Sequence, residues 1–122
     1  MNLTELVPGP PIACGPSTTA KQAARLMEAE HVGSVAVMED EQFIGLVTDR
    51  DMVRLVAEES SFEVPVSKIM TAQPDTVDID TEVADAADWL NATGYRHLPV
   101  TRNGELVGMI SIKDLLWAIA GQ

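Results

Sequence analysis

The hydrophobic positions of the chain follow a helical spacing in two separate segments. In both, small or apolar residues occur at i, i+3, i+4 and i+7, which places their side chains on one face of an α-helix. This pattern predicts two amphipathic helices, with Ser17–Thr18 and Asp80–Thr81 as the cap residues before them. The two sets are Ala20, Ala23, Ala24 and Met27, and Val83, Ala86, Ala87 and Leu90.

Short apolar runs before and after these helices predict strands. In each half, two runs joined by polar residues follow the helix, and Asn103-Gly104 is typical of a β-hairpin turn. A closing helix is predicted after each hairpin, over about 49–57 and 112–120. The predicted strands are Ile12–Cys14, Ser34–Met38, Phe43–Val47, Thr76–Asp78, His97–Thr101 and Leu106–Ile110.

The second half of the chain repeats the first. Residues 11–59 correspond to residues 74–122, and Gly45–Asp51 returns as Gly108–Asp114, a shift of 63 positions from residue 45 to residue 108. Each copy is too small to bury a stable core alone, so the halves are expected to share one. The predicted fold class is α+β, with two β-α-β-β-α repeats packed as one module. Repeat 1 is placed at 1–60, a connector at 61–73 and repeat 2 at 74–122.

Composition excludes several classes of function. The net charge of −11 opposes binding to nucleic acid and to anionic membranes, because such binding depends on positive side chains. No apolar run approaches the roughly 20 residues that cross a bilayer, and the first ten residues lack the features of a signal peptide. We therefore predict a cytoplasmic protein with no nucleic-acid or membrane partner.

Two polar motifs lie where a strand turns into a closing helix. Thr48 and Ser111 are each followed three residues later by an aspartate, Asp51 or Asp114. One interpretation is a capping box, in which the hydroxyl and the carboxylate satisfy backbone N–H groups of the helix start. The preceding glycines, of which Gly45 is one, similarly indicate either close packing of the chain or clearance for a ligand.

The other interpretation of the motifs is a nucleotide site. Arg50 and Lys113 lie in the first helical turn, where the helix dipole disfavours a cation by about 0.3–1 kcal/mol. A cation retained at both places indicates a nearby anion, and a helix N-terminus with a hydroxyl and a cation is suited to phosphate. Asp51 and Asp114 can accept the two hydroxyls of a ribose.

The order of elements, with Gly-hydrophobic-hydrophobic-Ser/Thr-x-x-Asp at the end of the last strand, resembles the cystathionine β-synthase (CBS) domain. Lys68–Thr71, Tyr95–Val100 and Gly45–Asp51 are similar to family sequence at the expected spacing. Thr4–Val7 departs from the pattern, since a Met-Thr pair would be expected there. The resemblance implies a tandem pair with pseudo-twofold symmetry that binds adenosine-containing ligands in clefts between the copies.

The resemblance also implies which residues line two ligand sites, with Arg50 and Lys113 beside the phosphate groups. Arg96 would reach phosphate from either side, and a magnesium ion would enter only with a polyphosphate. The Asp114 site would take Ile12, Ala13, Val32 and Gly33 from the first copy, and Arg96, Ile110 and Ser111 from the second. The Asp51 site would take Thr76, Val77 and Tyr95 from the second copy, and Val47 and Thr48 from the first.

Catalysis has little support in the sequence. His31 and His97 are the only histidines and lack a metal-ligand spacing, and Cys14 has no local basic partner that would activate its thiol. We predict no catalytic residue, no metal site and no cofactor. The predicted function is a non-enzymatic sensor of AMP, ADP, ATP or a similar ligand; the alternative is a ligand-free scaffold for homodimerisation or protein-protein interaction.

The closing helices are the predicted interface. Trp117 replaces Arg54 of the first copy, which indicates that this helix position is at least partly exposed in one half. Partly exposed tryptophans are frequent at interfaces. Because tandem modules of the resembled family commonly pair through their helices, we expect a homodimer, with an unidentified effector protein or the oligomer itself receiving the signal.

Overall fold

Each predicted helix and hairpin is present in the computed structural model, which describes residues 1–121. The helices are α1 (Ala20–Glu30), α2 (Asp49–Ala57), α3 (Val83–Thr93) and α4 (Ile112–Ala120). The strands are β1 (Ala13–Cys14), β2 (Ser34–Glu39), β3 (Gln42–Thr48), β4 (Thr71–Ala72), β5 (Val77–Asp78), β6 (His97–Arg102) and β7 (Glu105–Ser111). Two short 3-10 helices, Leu3–Glu5 and Val66–Lys68, were not predicted from the sequence. The fold class is α+β, as predicted.

Residues 12–74 form one packing unit, called here the first repeat unit. Its sheet has the order β1-β2-β3-β4, with β1 parallel to β2 and the other pairs antiparallel. β4 comes from the connector and was not predicted. The face of α1 that the helical spacing indicated packs on the sheet, and the buried core consists of Ala23, Met27, Val35, Val37, Val47 and Val66.

Residues 1–11 and the chain from Asp75 onward form the other packing unit, the second repeat unit. Its sheet has the order β5-β6-β7, parallel and then antiparallel. Leu3 lies in its core with no exposed surface, and the Leu3 N–H donates to the Thr81 carbonyl at 3.1 Å. The other buried core residues are Ile79, Val83, Ala86, Leu90, Leu98, Val100, Ile110 and Leu115.

The packing units divide the chain at different places from the sequence repeats. Residues 1–11 pack with the second repeat and residues 61–74 with the first, whereas the sequence division was 1–60, 61–73 and 74–122. The shift of 63 positions also places Leu3–Val7 on Val66–Met70. The two 3-10 helices are therefore equivalent elements, each completing the core of its own repeat unit. The expectation that the halves share one core was wrong, because the buried residues of each unit form a core of their own. The division into sequence repeats stays a prediction about the duplication.

Close packing explains two glycines at equivalent positions. A Cβ atom at Gly45 would collide with the Met70 thioether, and one at Gly108 would collide with the Val7 Cγ1 methyl group. Met70 and Val7 are themselves equivalent residues, one after each 3-10 helix. Of the two interpretations of these glycines, the structure supports packing of the chain.

The helix caps differ from the prediction by one residue. Thr19, rather than Ser17–Thr18, caps α1: its Oγ1 accepts the Gln22 N–H at 3.1 Å, and Gln22 Oε1 accepts the Thr19 N–H at 3.0 Å. The Thr18 hydroxyl instead accepts the Gly15 N–H, in the turn before the helix. The N-cap of α3 is Glu82, which makes no side-chain cap bond, rather than Asp80–Thr81.

Both hairpins turn through residues with positive φ. Asn103 and Gly104 have φ values of 52° and 80°, as expected for an Asn-Gly turn. The equivalent Asp40 and Glu41 have φ values of 50° and 65°. A side chain at Glu41 is disfavoured in this left-handed region, whereas Gly104 adopts it readily. The first hairpin thus has the same turn with a less suitable residue.

Candidate ligand-binding junctions

The first junction, Thr48–Asp51, connects β3 to α2. The Thr48 N–H donates to Asp51 Oδ2 at 2.8 Å, and the Thr48 hydroxyl lies 3.4 Å from the same oxygen. The carboxylate therefore reaches back to the residue that precedes the helix. This is the carboxylate half of a capping box, and it fixes the orientation of the Asp51 side chain.

The second junction, Ser111–Asp114, connects β7 to α4 in the same way. The Ser111 N–H donates to Asp114 Oδ2 at 2.9 Å, and the Asp114 N–H donates to Ser111 Oγ at 3.2 Å. Both halves of the capping box are present. Capping is therefore a real role of the two motifs, and it occupies only one oxygen of each carboxylate. The other oxygen, Oδ1, decides what else each aspartate can bind.

The two Oδ1 atoms have different surroundings. Asp51 Oδ1 accepts a hydrogen bond from Arg54 Nη1 at 3.0 Å, and the two side chains are 6% and 54% exposed. Trp117 stands at the position equivalent to Arg54 and is 75% exposed. Asp114 is only partly buried, and no side chain among residues 1–121 pairs with its Oδ1. The second carboxylate thus has an available acceptor.

The predicted cations lie where the sequence placed them. Arg50 and Lys113 are the second residues of α2 and α4, and both are exposed. Each lies within one helical turn of the free N–H groups at a helix start, so an anion there would meet donors and a positive charge together.

In each repeat unit, the residue just before the hairpin (β2–β3 or β6–β7) is hydrogen-bonded to the first residue of the closing helix. The Gly33 carbonyl accepts the Asp49 N–H at 2.9 Å, and the Arg96 carbonyl accepts the Ile112 N–H at 2.9 Å. Gly33 and Arg96 are equivalent positions, so the duplication preserves this contact. Val32 and Tyr95, one residue earlier, are both exposed. The lining of each site by residues of the opposite copy stays a prediction.

The remaining predicted lining residues divide by burial. Val47 and Ile110 have no exposed surface and belong to the two cores, so only their backbone groups could face a ligand. Ala13 and Thr76 are exposed, and Ile12 and Val77 are partly buried. The Ile12 carbonyl already accepts the Ala36 N–H at 2.9 Å.

Sequence reasoning missed two features near the junctions. The Asp51–Arg54 pair could have been found from opposite charges at i and i+3 on a helix, a spacing at which side chains meet. The second feature is an aromatic pair: the Trp89 and Tyr95 rings lie 5.5 Å apart at an angle of 50°. No local sequence pattern indicates that pair, because the two residues lie on either side of a helix end.

The lone cysteine and the possible metal ligands are the remaining candidates for chemistry. Burial raises the pKa of the Cys14 thiol, although a hydrogen bond with Thr18 acts in the opposite direction, so the thiol stays protonated at neutral pH. Among residues 1–121, no group of three or more His, Cys, Asp or Glu side chains could hold a metal ion. None of the described helices has the length and apolar content that a bilayer crossing requires.

Fold and junctions together define a duplicated α+β module with one polar strand-to-helix junction in each copy. The CBS domain model matches the chain twice, over residues 4–58 and 66–121. The chain therefore belongs to the CBS domain family and carries a tandem pair of these domains, as the motifs predicted.

Relatives and solved structures agree with this assignment. An uncharacterized 17.7 kDa protein of Acidianus ambivalens is 39% identical over 106 residues, which is 85% of this chain and 64% of that protein. The CBS-domain containing protein ATU1752 from Agrobacterium tumefaciens has a TM-score of 0.92 and 28% identity, covering 98% of this chain and 99% of its own. The CBS domain protein PAE2072 from Pyrobaculum aerophilum, solved in complex with AMP, has a TM-score of 0.88 and 27% identity over the whole of both chains.

This chain spans only part of several curated relatives. It covers 64% of the length of the Acidianus protein and 19% of the length of the two Arabidopsis thaliana relatives that follow it in similarity.

Proposed function

We propose that the chain is a non-enzymatic regulatory module that binds an adenosine-containing ligand, AMP, ADP, ATP or a similar compound, at its strand-to-helix junctions. The observation that carries this proposal is the second junction, where Asp114 keeps one carboxylate oxygen available beside a helix start and the exposed Lys113. The complex of PAE2072 with AMP supports the choice of ligand class.

Each group would have a separate role in binding. Asp114 Oδ1 would accept hydrogen bonds from the ribose hydroxyls, while Oδ2 stays on the Ser111 N–H. Lys113, Arg96 and the first N–H groups of α4 would attract the phosphate groups. Adenine carries no charge, so it would be held by apolar side chains and backbone groups. Magnesium would bind only together with a polyphosphate ligand.

Regulation would follow from a difference in affinity. A ligand shifts the equilibrium between two arrangements of a protein only as far as it binds one arrangement more tightly than the other. The output would pass to an effector protein or to the oligomer. A cytoplasmic location stays a prediction.

Thermal melting and calorimetry with AMP, ADP, ATP and S-adenosylmethionine test ligand binding. A ligand at a hundred times its Kd should stabilise the native state by about 2.7 kcal/mol and raise the Tm. Asp114→Ala should reduce this shift, because the second junction loses its ribose acceptor and only the weaker first junction stays. Asp88→Ala, which removes an exposed acid from α3 of the same repeat unit, is the matched control and should keep it. No shift with any of the four compounds would contradict the proposal.

A second function, a scaffold for pairing with another copy, is favoured by the apolar surface of the closing helices. The exposed apolar residues are Val53 and Val56 on α2, and Ile112, Leu116, Trp117 and Ile119 on α4. α4 has a single acid and a single base, so it offers a nearly neutral surface on a chain of net charge −11. We propose a homodimer through these helices.

Light scattering after gel filtration tests the dimer. Wild-type protein should have twice the mass of the chain, and Leu116→Glu should halve it, because a buried unpaired carboxylate opposes association. Glu105→Lys changes charge at an exposed strand residue in the same repeat unit and should leave the mass unchanged. A monomeric wild type would contradict the dimer without affecting the ligand proposal.

A further inference from the structure

We infer that Arg54 occupies the ribose-binding acceptor of the first junction, so that an adenosine ligand binds preferentially at the second junction. The inference rests on the proposed function and assigns a specificity-determining role to one residue. It concerns the difference between two junctions that the sequence duplication would otherwise make equivalent.

Both carboxylate oxygens of Asp51 already accept a hydrogen bond from within the chain. Its Oδ2 accepts from the Thr48 N–H at 2.8 Å, and its Oδ1 accepts from Arg54 Nη1 at 3.0 Å. A ribose that donates two hydroxyl hydrogens to Oδ1 would have to compete with the guanidinium, and the arginine would lose a charge-assisted hydrogen bond where it gives way. Among residues 1–121, Asp114 carries no such partner, because the equivalent position holds Trp117.

The difference in burial of the two aspartates also favours ligand binding at the second junction. The Asp51 side chain is 6% exposed, whereas Asp114 is only partly buried. Removing the Arg54 partner from a buried carboxylate would leave it without compensation for its lost hydration. The partly exposed arginine limits the size of this effect, because a surface ion pair is screened by water. We expect the first junction to bind about five- to tenfold more weakly than the second.

Titration calorimetry with AMP tests the inference on the whole chain. Wild-type protein should bind one AMP tightly and a second about five- to tenfold more weakly. Arg54→Leu removes the guanidinium and places an apolar side chain at a position that is already largely exposed. The affinities of the two AMP-binding events should then approach each other. Arg25→Leu, which removes an exposed arginine from α1 of the same repeat unit, controls for the change in net charge and should leave the titration unchanged.

The reciprocal exchange tests the same role at the second junction. Trp117→Arg would supply a guanidinium at i+3 from Asp114, and it should weaken the tight event about five- to tenfold. Trp117→Leu removes the indole without adding the charge and should not weaken it. Both substitutions lie on an exposed helix position, so the fold should tolerate them.

Different results overturn different proposals. Two equal AMP sites in the wild type, or an Arg54→Leu protein that binds AMP more weakly, would show that Arg54 does not block the first junction and would leave nucleotide binding intact. No binding of AMP or of the other three compounds to the wild type would overturn the proposed function, and the inference with it.

Discussion

The two strand-to-helix junctions share their backbone hydrogen bonds and differ in what surrounds the second carboxylate oxygen. In the first copy, Arg54 pairs with Asp51, and in the second copy the equivalent Trp117 is exposed and leaves Asp114 without such a partner. Duplication thus preserves the geometry that caps a helix, while a single residue three positions after the motif changes what the motif can bind. The two copies of one fold can therefore be compared as internal controls.

The largest expected effect on stability comes from Leu3, in the 3-10 helix that completes the core of the second repeat unit. Leu3→Ala should lower the free energy of unfolding by about 2–5 kcal/mol, because Leu3 is fully buried in that core. Its counterpart Val66 loses fewer carbon atoms in Val66→Ala, and its substitution should cost less. Urea denaturation measures both. Glu5→Ala, at an exposed position of the same 3-10 helix, should change stability by under about 0.5 kcal/mol.

Next in size is the pair of crowded glycines. Gly108→Ala should destabilise by about 1–3 kcal/mol, because its new Cβ atom would meet the branched side chain of Val7. Gly45→Ala should cost less, since the flexible Met70 thioether can move aside. Val7→Ala in the Gly108→Ala background should recover part of the loss. Equal losses at the two glycines would contradict this account of the packing.

A smaller expected effect is a difference in stability between Asp51→Asn and Asp114→Asn in the ligand-free protein. Asp51→Asn should destabilise by about 1–2 kcal/mol, because it weakens the cap and removes the charge that pairs with Arg54. Asp114→Asn weakens only the cap and should cost under about 1 kcal/mol. In an Arg54→Leu background the difference between the two should disappear in a double-mutant cycle. A difference that persists would mean that another partner distinguishes the two carboxylates.

The smallest expected effect is a gain at the first hairpin. Glu41→Gly should stabilise the protein by about 0.5–1 kcal/mol, because glycine adopts a φ of 65° without steric cost. Gly104→Glu, the reverse exchange at the equivalent turn, should lose a similar amount. Thermal denaturation of the two variants checks the sign of each. A loss with Glu41→Gly would show that the Glu41 side chain makes a favourable contribution that outweighs its backbone conformation.

The sequence predicted the regular elements well because their periodicity occurs twice. The apolar face of α1, with Ala23 and Met27 buried, follows directly from the helical spacing. The 3-10 helix at Leu3–Glu5 and the strand β4 were missed because elements of two or three residues have no period to detect. The cap of α1 was placed one residue early because Thr18 and Thr19 are chemically alike, and only the turn at Gly15 distinguishes them.

The candidate site was predictable as far as its local motif. Spacing alone located Thr48, Asp51, Ser111 and Asp114 at the two helix starts. Arg54 was used only as a sign that its helix position is exposed, and its contact with Asp51 was overlooked because it lies outside the repeated motif. Burial of Val47 and Ile110 could not be separated from ligand contact in the sequence, since an apolar residue suits a core and an adenine pocket equally.

The burial of Leu3 in the core of the second repeat unit has a consequence for synthesis on the ribosome. Residues 12–74 emerge as a continuous segment and can begin folding early, because domains tend to fold as they leave the exit tunnel. Leu3 emerges before them but is buried only when the second copy folds, so its apolar side chain stays uncovered until then. This stretch would therefore be accessible to chaperones that recognise apolar nascent segments until the second copy folds.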